Sequence, residues 1–167
     1  MIDEFDDIFE IMDEAFPDSE MRTYEKQKDL LNDKYYRIIT KKNENNKVIA
    51  FMAVWEFNDF TFVEHLATSR DARGSGIGTK FLCEYINEAQ KPIILEVEPP
   101  NTEIAKRRIG FYQRIGFCLN DFPYKQPPLR EGHGWSPLMV MTYPSPIHEK
   151  EFKKYKDKIY KESYKIK

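Results

Sequence analysis

The feature that most constrains the fold is a run of alternating glycines between a strand-like and a helix-like segment. In Arg73-Gly74-Ser75-Gly76-Ile77-Gly78, glycine occupies every second position. Residues 60–68 before it are rich in strand formers, and apolar residues after it recur at helical spacing as far as Ala89. Glycine lets the backbone approach a ligand closely, and amides at the start of a helix attract anions. The run therefore predicts a phosphate-binding turn between a strand and a helix, with an ordinary tight turn as the alternative.

The remaining segments predict a mixed α/β (α+β) chain. Apolar spacing and capping residues predict helices over residues 5–16, 23–32 and 103–115, the last capped by Asn101 or Thr102. Strand formers are concentrated in residues 35–41, 47–57, 60–68, 92–97 and 138–142. We expect the first three of these strands to be antiparallel. The strand at 92–97 should be central, because both of its faces are largely apolar.

Length and composition restrict the class of protein. A chain of 167 residues that is 41% hydrophobic can bury one core. Its apolar runs are far shorter than the roughly 20 residues of a membrane-spanning helix. The acidic N-terminus is unlike a signal peptide, which predicts a cytoplasmic protein without a membrane partner. Cys83 and Cys118, with only three histidines, predict neither a disulfide framework nor a metal site.

The charges are unevenly distributed along the chain. The net charge of -2 argues against a nucleic-acid partner. Residues 1–20 hold nine acidic and no basic side chains, whereas residues 147–167 hold eight lysines against four acids. We divide the chain into a domain of residues 1–146 and a basic C-terminal helix or tail of residues 147–167. Apolar residues of this tail recur at helical spacing and predict a helix docked on the domain, with a nucleic-acid or membrane arm as the alternative; they are Phe152, Tyr155, Ile159 and Tyr160.

The glycine spacing fits neither a dinucleotide fingerprint nor a Walker loop. It resembles the pyrophosphate loop of the GCN5-related N-acetyltransferase (GNAT) superfamily, whose pattern Arg/Gln-x-x-Gly-x-Gly/Ala is met by Arg73, Gly76 and Gly78. His65-Leu66-Ala67-Thr68 resembles the strand before that loop, and Gly110-Phe111-Tyr112-Gln113-Arg114-Ile115-Gly116-Phe117 resembles the Phe-Tyr-x-x-x-Gly-Phe helix ending. The resemblance implies a mostly antiparallel central sheet flanked by helices. A splayed pair of parallel strands would form the acetyl-CoA cleft.

The same resemblance implies where acetyl-CoA, the cosubstrate, would bind. Its pantetheine arm would follow the strand residues Leu66, Ala67 and Thr68. Its pyrophosphate would lie on the turn, whose residues are Arg73, Gly74, Ser75, Gly76, Ile77, Gly78 and Thr79. No role is carried over to Asn101, because it lies eleven residues before Tyr112 rather than seven.

Three residues are candidates for proton transfer. The resemblance implies that Tyr112 is the candidate acid for the departing thiolate, with a core aromatic as the alternative. Glu64 and Glu96 are candidate bases for the amine, and a salt-bridged structural glutamate is the alternative for each. His65 has the opposite strand parity to Glu64, so at most one of the two should face the substrate, and Glu64 is preferred.

The sequence therefore predicts an acetyl-CoA-dependent N-acetyltransferase for a primary amine of a small molecule, peptide or protein. A non-catalytic acyl-CoA-binding regulatory module is the alternative. The sequence leaves open whether the protein forms a homodimer. Residues 121–135 are expected to form a substrate-facing loop whose aromatics line a pocket, or else a packed surface loop. The acids of residues 1–20, among them Asp6, Asp7 and Asp13, predict a cationic acceptor or simply a solubilised helix face.

Overall fold

A computed structural model describes residues 4–166 of the chain. Its α-helices are α1 (Glu4–Ala15), α2 (Tyr24–Asp29), α3 (Ile77–Ala89), α4 (Glu103–Ile115) and α5 (Glu149–Lys158). Its strands are β1 (Tyr36–Lys42), β2 (Val48–Glu56), β3 (Thr61–Thr68), β4 (Ile93–Val97), β5 (Cys118–Gln126) and β6 (Ser136–Tyr143). Short 3₁₀ turns cover Asp18–Glu20, Leu30–Asn32 and Arg70–Ala72, and a π-helical turn, Ile159–Ser163, continues α5.

The strands of this region form one sheet in the order β1-β2-β3-β4-β6-β5. All neighbours are antiparallel except β3 and β4, which are parallel. The parallel pairing covers only Thr61–Val63 opposite Ile93–Leu95, although β3 continues to Thr68 and β4 to Val97. The predicted mixed, mostly antiparallel sheet with a splayed parallel pair is therefore confirmed, and β4 is central.

Helices cover both faces of the sheet. On one face, α1 and the C-terminal segment bury aromatic residues of the sheet, including Phe51, Trp55 and Phe62. On the other face, α3 and α4 pack on Met52, Val54, Leu95 and neighbouring residues. The C-terminal segment contributes Phe152, Ile159 and Tyr164 to the first core, each less than a tenth exposed. These residues dock the lysine-rich segment on the domain.

Local sequence determines where α4 begins and ends. Thr102, one of the two residues predicted as the cap, is its N-cap. The Thr102 hydroxyl accepts a hydrogen bond from the Ala105 amide at 3.0 Å. Gly116 ends the helix with a φ of +122°, a conformation that a side chain disfavours. A Cβ at that position would also lie 3.1 Å from the Tyr143 ring. These ends place Tyr112 in the last turn of the helix.

The predicted loop at residues 121–135 is wrong in its first half. β5 runs to Gln126, and Tyr124, Lys125 and Gln126 pair with β6. The register shifts between Asn120 and Tyr124, so the polar and proline-containing residues between them are absorbed in an irregularity of the strand. Only the shorter segment of residues 127–135 connects β5 with β6.

No helix within residues 4–166 is long and apolar enough to cross a membrane.

Candidate active site

A cavity of about 660 Å³ opens where β3 and β4 separate. Its wall combines the end of β3, the glycine-rich turn, β4, α4 and the segment that follows α1. The predicted site residues that line it are Glu64, Leu66, Ala67, Thr68, Arg73, Gly74, Gly76, Ile77, Gly78, Thr79, Glu96 and Tyr112. Ser75 is the exception, and its hydroxyl donates to the Ala72 carbonyl at 2.5 Å.

One side of the cavity is an open strand edge. Beyond Val63, β3 stays paired with β2 but loses its pairing with β4. Leu66, Ala67 and Thr68 line the cavity along this unpaired edge. Backbone groups at such an edge can bind an extended, amide-containing ligand as a further strand would bind.

The glycine-rich turn forms a cradle of backbone amides at the start of α3. Gly74 and Gly76 have φ values of +78° and +83°, which disfavour any residue with a side chain. No side chain caps the helix, and within the described part of the chain no acceptor is hydrogen-bonded to the amides of residues 76–79. These free donors and the positive end of the helix dipole make an anion-binding site beside the strand edge.

Residues 3–117 of the chain match the acetyltransferase (GNAT) family. The chain belongs to the GNAT family. YjbC from Bacillus subtilis (strain 168) is 37% identical over 111 residues, which cover 65% of this chain and 55% of that relative. The chain thus spans little more than half the length of this curated relative.

Solved structures of GNAT proteins show the same fold. A GNAT-family protein from Bacteroides thetaiotaomicron aligns with a TM-score of 0.89 at 33% identity, covering 98% of this chain and 93% of that chain. A phosphinothricin acetyltransferase from Sinorhizobium meliloti, solved in complex with AcCoA, aligns with a TM-score of 0.61 at 19% identity, covering 86% and 84% of the two chains. The second likeness concerns the fold alone.

In this GNAT chain, Tyr112 lies on the α4 side of the cavity. Its ring packs against Phe111 and Phe117, with ring centroids 5.1 and 5.7 Å away. Burial raises the pKa of Tyr112 to about 12. This pKa keeps the phenol protonated at neutral pH, and its hydroxyl makes no hydrogen bond to residues 4–166, so it is a free donor beside the cavity.

Glu96 approaches the cavity from the opposite face of the sheet. Tyr124 donates to its Oε2 and Tyr164 donates to its Oε1, each at 2.5 Å. Burial raises the pKa of Glu96 to about 7, although the two phenols act in the opposite direction. A carboxyl group with this pKa is divided between its acid and base forms at neutral pH, which suits general base catalysis.

Glu64 is placed differently from its predicted role as a base. Its carboxylate accepts hydrogen bonds from Arg22 Nη1 and Trp55 Nε1, both at 2.8 Å, and its side chain is only 1% exposed. Burial alone would raise the pKa of Glu64, but the attraction of Arg22 and these hydrogen bonds lower it overall. A carboxylate stabilised in this way is a weak base, so the structure favours the salt-bridged alternative for Glu64.

The parity argument for His65 is also wrong, because β3 contains a bulge. Val63 pairs with Val54 and His65 pairs with Ala53, which leaves Glu64 as the extra residue. His65 Nε2 lies 2.7 Å from the Glu20 carbonyl, and its ring lies against Phe16, so it faces the same side as Glu64. Burial lowers the pKa of His65, which keeps the ring neutral within the wall.

Sequence reasoning missed a pair of carboxyl groups in the cavity. Glu20 and Glu98 both line it. Burial, with a hydrogen bond and repulsion from Glu98, raises the pKa of Glu20 to about 8. Glu98 could have been found, because it lies two residues beyond Glu96 in the same extended segment. Glu20 belongs to a short 3₁₀ turn and carries no such signal.

The aromatics of residues 121–135 do not line the cavity. Phe122 and Tyr124 pack on Phe152, and Trp135 is half exposed beside Tyr160. This segment contributes only Gln126 to the wall. The expectation of a substrate-facing aromatic loop is therefore corrected, since strand pairing and the C-terminal helix take up these rings.

The described residues contain no group of three His, Cys, Asp or Glu side chains that could hold a metal ion.

Proposed function

We propose that this GNAT protein is an acetyl-CoA-dependent N-acetyltransferase that modifies a primary amine of a small molecule, peptide or protein. The observation that supports this most directly is that the glycine-rich turn, the open β3 edge, Glu96 and Tyr112 all line one cavity. The amide cradle and the open β3 edge suit the pyrophosphate and the pantetheine arm of acetyl-CoA. Near the C-terminal end of β4, Glu96 and Tyr112 approach the cavity from opposite faces of the sheet.

The two side chains suit opposite ends of the transfer. The amine nitrogen attacks the thioester carbonyl carbon, the C=O electron pair moves to oxygen, and the tetrahedral intermediate collapses with cleavage of the C–S bond. Glu96, on the α1 and α5 side of the sheet, accepts the proton that the amine nitrogen loses. Tyr112, on the α4 side, donates a proton to the departing sulfur. Neither residue needs Glu64, which holds Arg22 and Trp55 in place.

The proposal is tested by incubating a panel of primary amines with acetyl-CoA and the purified protein. Thiol release together with an acetylated product of the expected mass supports the proposal. A protein that binds CoA but acetylates no amine across small-molecule and peptide panels would instead support the non-catalytic acyl-CoA-binding alternative.

Replacing Gly76 with valine should remove most of the stabilisation that CoA provides. A ligand at a hundredfold excess over Kd stabilises a folded protein by about 2.7 kcal/mol. Gly76 has a φ of +83° in the cradle, so a side chain there distorts the amides that would hold the pyrophosphate. The measurement is the CoA-induced shift in melting temperature.

Gly132→Val provides the matched control. Gly132 has a φ of +85° and open space around its Cβ position, as Gly76 has, but lies outside the cavity. Both variants should lose intrinsic stability through backbone strain, and only the Gly76 variant should lose the CoA-induced shift. A full shift in Gly76→Val would refute the assignment of the loop.

The acceptor is expected to be cationic before it reacts, but the acids concerned differ from those predicted. Asp6, Asp7 and Asp13 are not part of the cavity wall, whereas Glu14, at the end of α1, is. A negative rim raises the local concentration of an ammonium substrate, and added salt screens this effect as the Debye length falls from about 10 Å at 0.1 M to about 3 Å at 1 M.

Glu14→Lys should therefore lower kcat/KM for a cationic amine by roughly tenfold at low salt, the lower end of electrostatic steering effects. Asp13→Lys is the matched control, since it makes the same charge change one residue earlier on α1 and outside the cavity. Equal responses of the two variants, or a wild-type kcat/KM that is flat with salt, would eliminate local steering by the rim.

A further inference from the structure

The C-terminal segment reaches the candidate base. Beyond α5, the π-helical turn ends at Ser163, whose carbonyl accepts a hydrogen bond from Arg22 Nη2 at 2.8 Å. The same guanidinium binds Glu64 through Nη1. This bridge fixes the segment to β3, and the next residue, Tyr164, is only 7% exposed. Arg22 thus joins residues that lie 42 and 141 positions from it in the sequence.

The Tyr164 hydroxyl has a defined place in this arrangement. It donates to Glu96 Oε1 at 2.5 Å and accepts from Gln126 Nε2 at 3.2 Å. Tyr124 donates to the other oxygen of Glu96. One phenol therefore holds each carboxylate oxygen, which fixes the orientation of the carboxylate. A carboxylate has about four acceptor sites, so it can still accept a proton from a ligand in the cavity.

We propose that Tyr164 is a positioning residue for Glu96, so that the C-terminal segment completes the active site rather than merely covering the core. This inference rests on the proposed function, in which Glu96 accepts the proton of the amine. Tyr164 contacts the base and does not line the cavity itself.

The hydrogen bonds from both phenols favour the charged form of Glu96. Other groups act on the same carboxyl from the elements packed around it. They are Glu64 on β3, Arg22 before α2 and Glu20 in the turn after α1, while the Tyr160 phenol in the π-helical turn is neutral and donates to the Lys125 carbonyl instead. Removing the Tyr164 hydroxyl leaves these groups in place, and Gln126 Nε2, which donates to that hydroxyl, keeps its own longer contact of 3.5 Å with Glu96 Oε1.

Tyr164→Phe should raise the pKa of Glu96 by about one unit, because a hydrogen bond to a charged group is lost. The rising limb of kcat/KM against pH should move up by the same amount. Activity at pH 7 should therefore fall about fivefold, with little loss at pH 9, as follows from a pKa that moves from about 7 to about 8. A merely structural role would lower activity at all pH values without moving the limb.

Tyr160→Phe is the matched control, because the Tyr160 hydroxyl donates to the Lys125 carbonyl and not to Glu96. Its pH profile should coincide with that of the wild type. Tyr124→Phe removes the other donor and should repeat the shift, which keeps the test available if Tyr164→Phe folds poorly. An unmoved limb in folded Tyr164→Phe, or in Tyr124→Phe where Tyr164→Phe does not fold, would overturn the proposal.

A readout without turnover separates this inference from the proposed function. In protein labelled with carbon-13 at the glutamate carboxyls, the Glu96 resonance is the one absent from Glu96→Gln. Its titration midpoint should rise by about one unit in Tyr164→Phe. A shifted midpoint in a protein that acetylates no amine would refute the catalytic role of Glu96 but support the contact between Tyr164 and Glu96. An unshifted midpoint would refute the role of Tyr164 itself.

Discussion

Glu96→Gln is expected to lower kcat by about 10²- to 10⁴-fold, the usual contribution of a general base, while acetyl-CoA affinity stays near the wild-type value. The amide has almost the same shape as the carboxyl but cannot accept the amine proton. In the wild type, the pKa of about 7 predicts a kcat/KM that rises through neutral pH and then levels off. In the variant, kcat/KM should no longer rise through neutral pH.

The pH dependence of stability provides a second check on the same substitution. The pKa of Glu96 rises from an ordinary 4.5 to about 7 on folding, so the folded state binds its proton more tightly. The resulting stabilisation is complete below pH 4.5 and is lost as the pH rises through 7. Denaturant unfolding at pH 5 and pH 8 should show this decrease in the wild type and a smaller one in Glu96→Gln.

Glu64→Gln is the contrasting variant. It leaves the Arg22 guanidinium without its charged partner, and both side chains are buried. Breaking a buried ion pair in this way costs about 3–5 kcal/mol of stability. We therefore expect a lower melting temperature, with the pH limb of kcat/KM retained in the folded fraction. A retained limb in Glu96→Gln together with its loss in Glu64→Gln would reverse the two assignments.

Tyr112→Phe should also lower turnover by about 10²- to 10⁴-fold and leave CoA affinity nearly unchanged. The ring keeps its packing against Phe111 and Phe117, and only the proton donor is lost. Because the pKa of Tyr112 is about 12, the phenol stays protonated across the working range, and the defect should be nearly independent of pH up to about 10. Single-turnover acetyl transfer measures the chemical step directly.

Tyr143→Phe is the control for this substitution. Tyr143 also packs on Phe117, at 5.4 Å between ring centroids, but lies outside the cavity wall. Its loss of a hydroxyl should leave turnover unchanged. Wild-type rates in Tyr112→Phe across the pH range would make Tyr112 a packing residue and would transfer the role of acid to water or another side chain.

Sequence by itself determined the features that depend on neighbouring residues. The strand, glycine-rich turn and α3 follow from a local pattern, since Gly74 and Gly76 allow positive φ and free the amides at a helix start. The capped α4 likewise carries its own signals in Thr102 and Gly116. These local rules were enough to predict the amide cradle, whereas the roles of the β3 edge and of Tyr112 were implied by the resemblance to GNAT proteins.

Only the tertiary structure distinguishes the surroundings of the two candidate carboxyl groups. Glu64 and Glu96 look alike in sequence, but in the fold Glu64 meets Arg22, forty-two residues earlier. Glu96 instead meets Tyr164, sixty-eight residues later in the chain. Burial and charged partners shift the two pKa values in opposite directions, and these partners come from distant segments. No local pattern encodes such contacts, because they exist only once the sheet and the C-terminal segment have packed together.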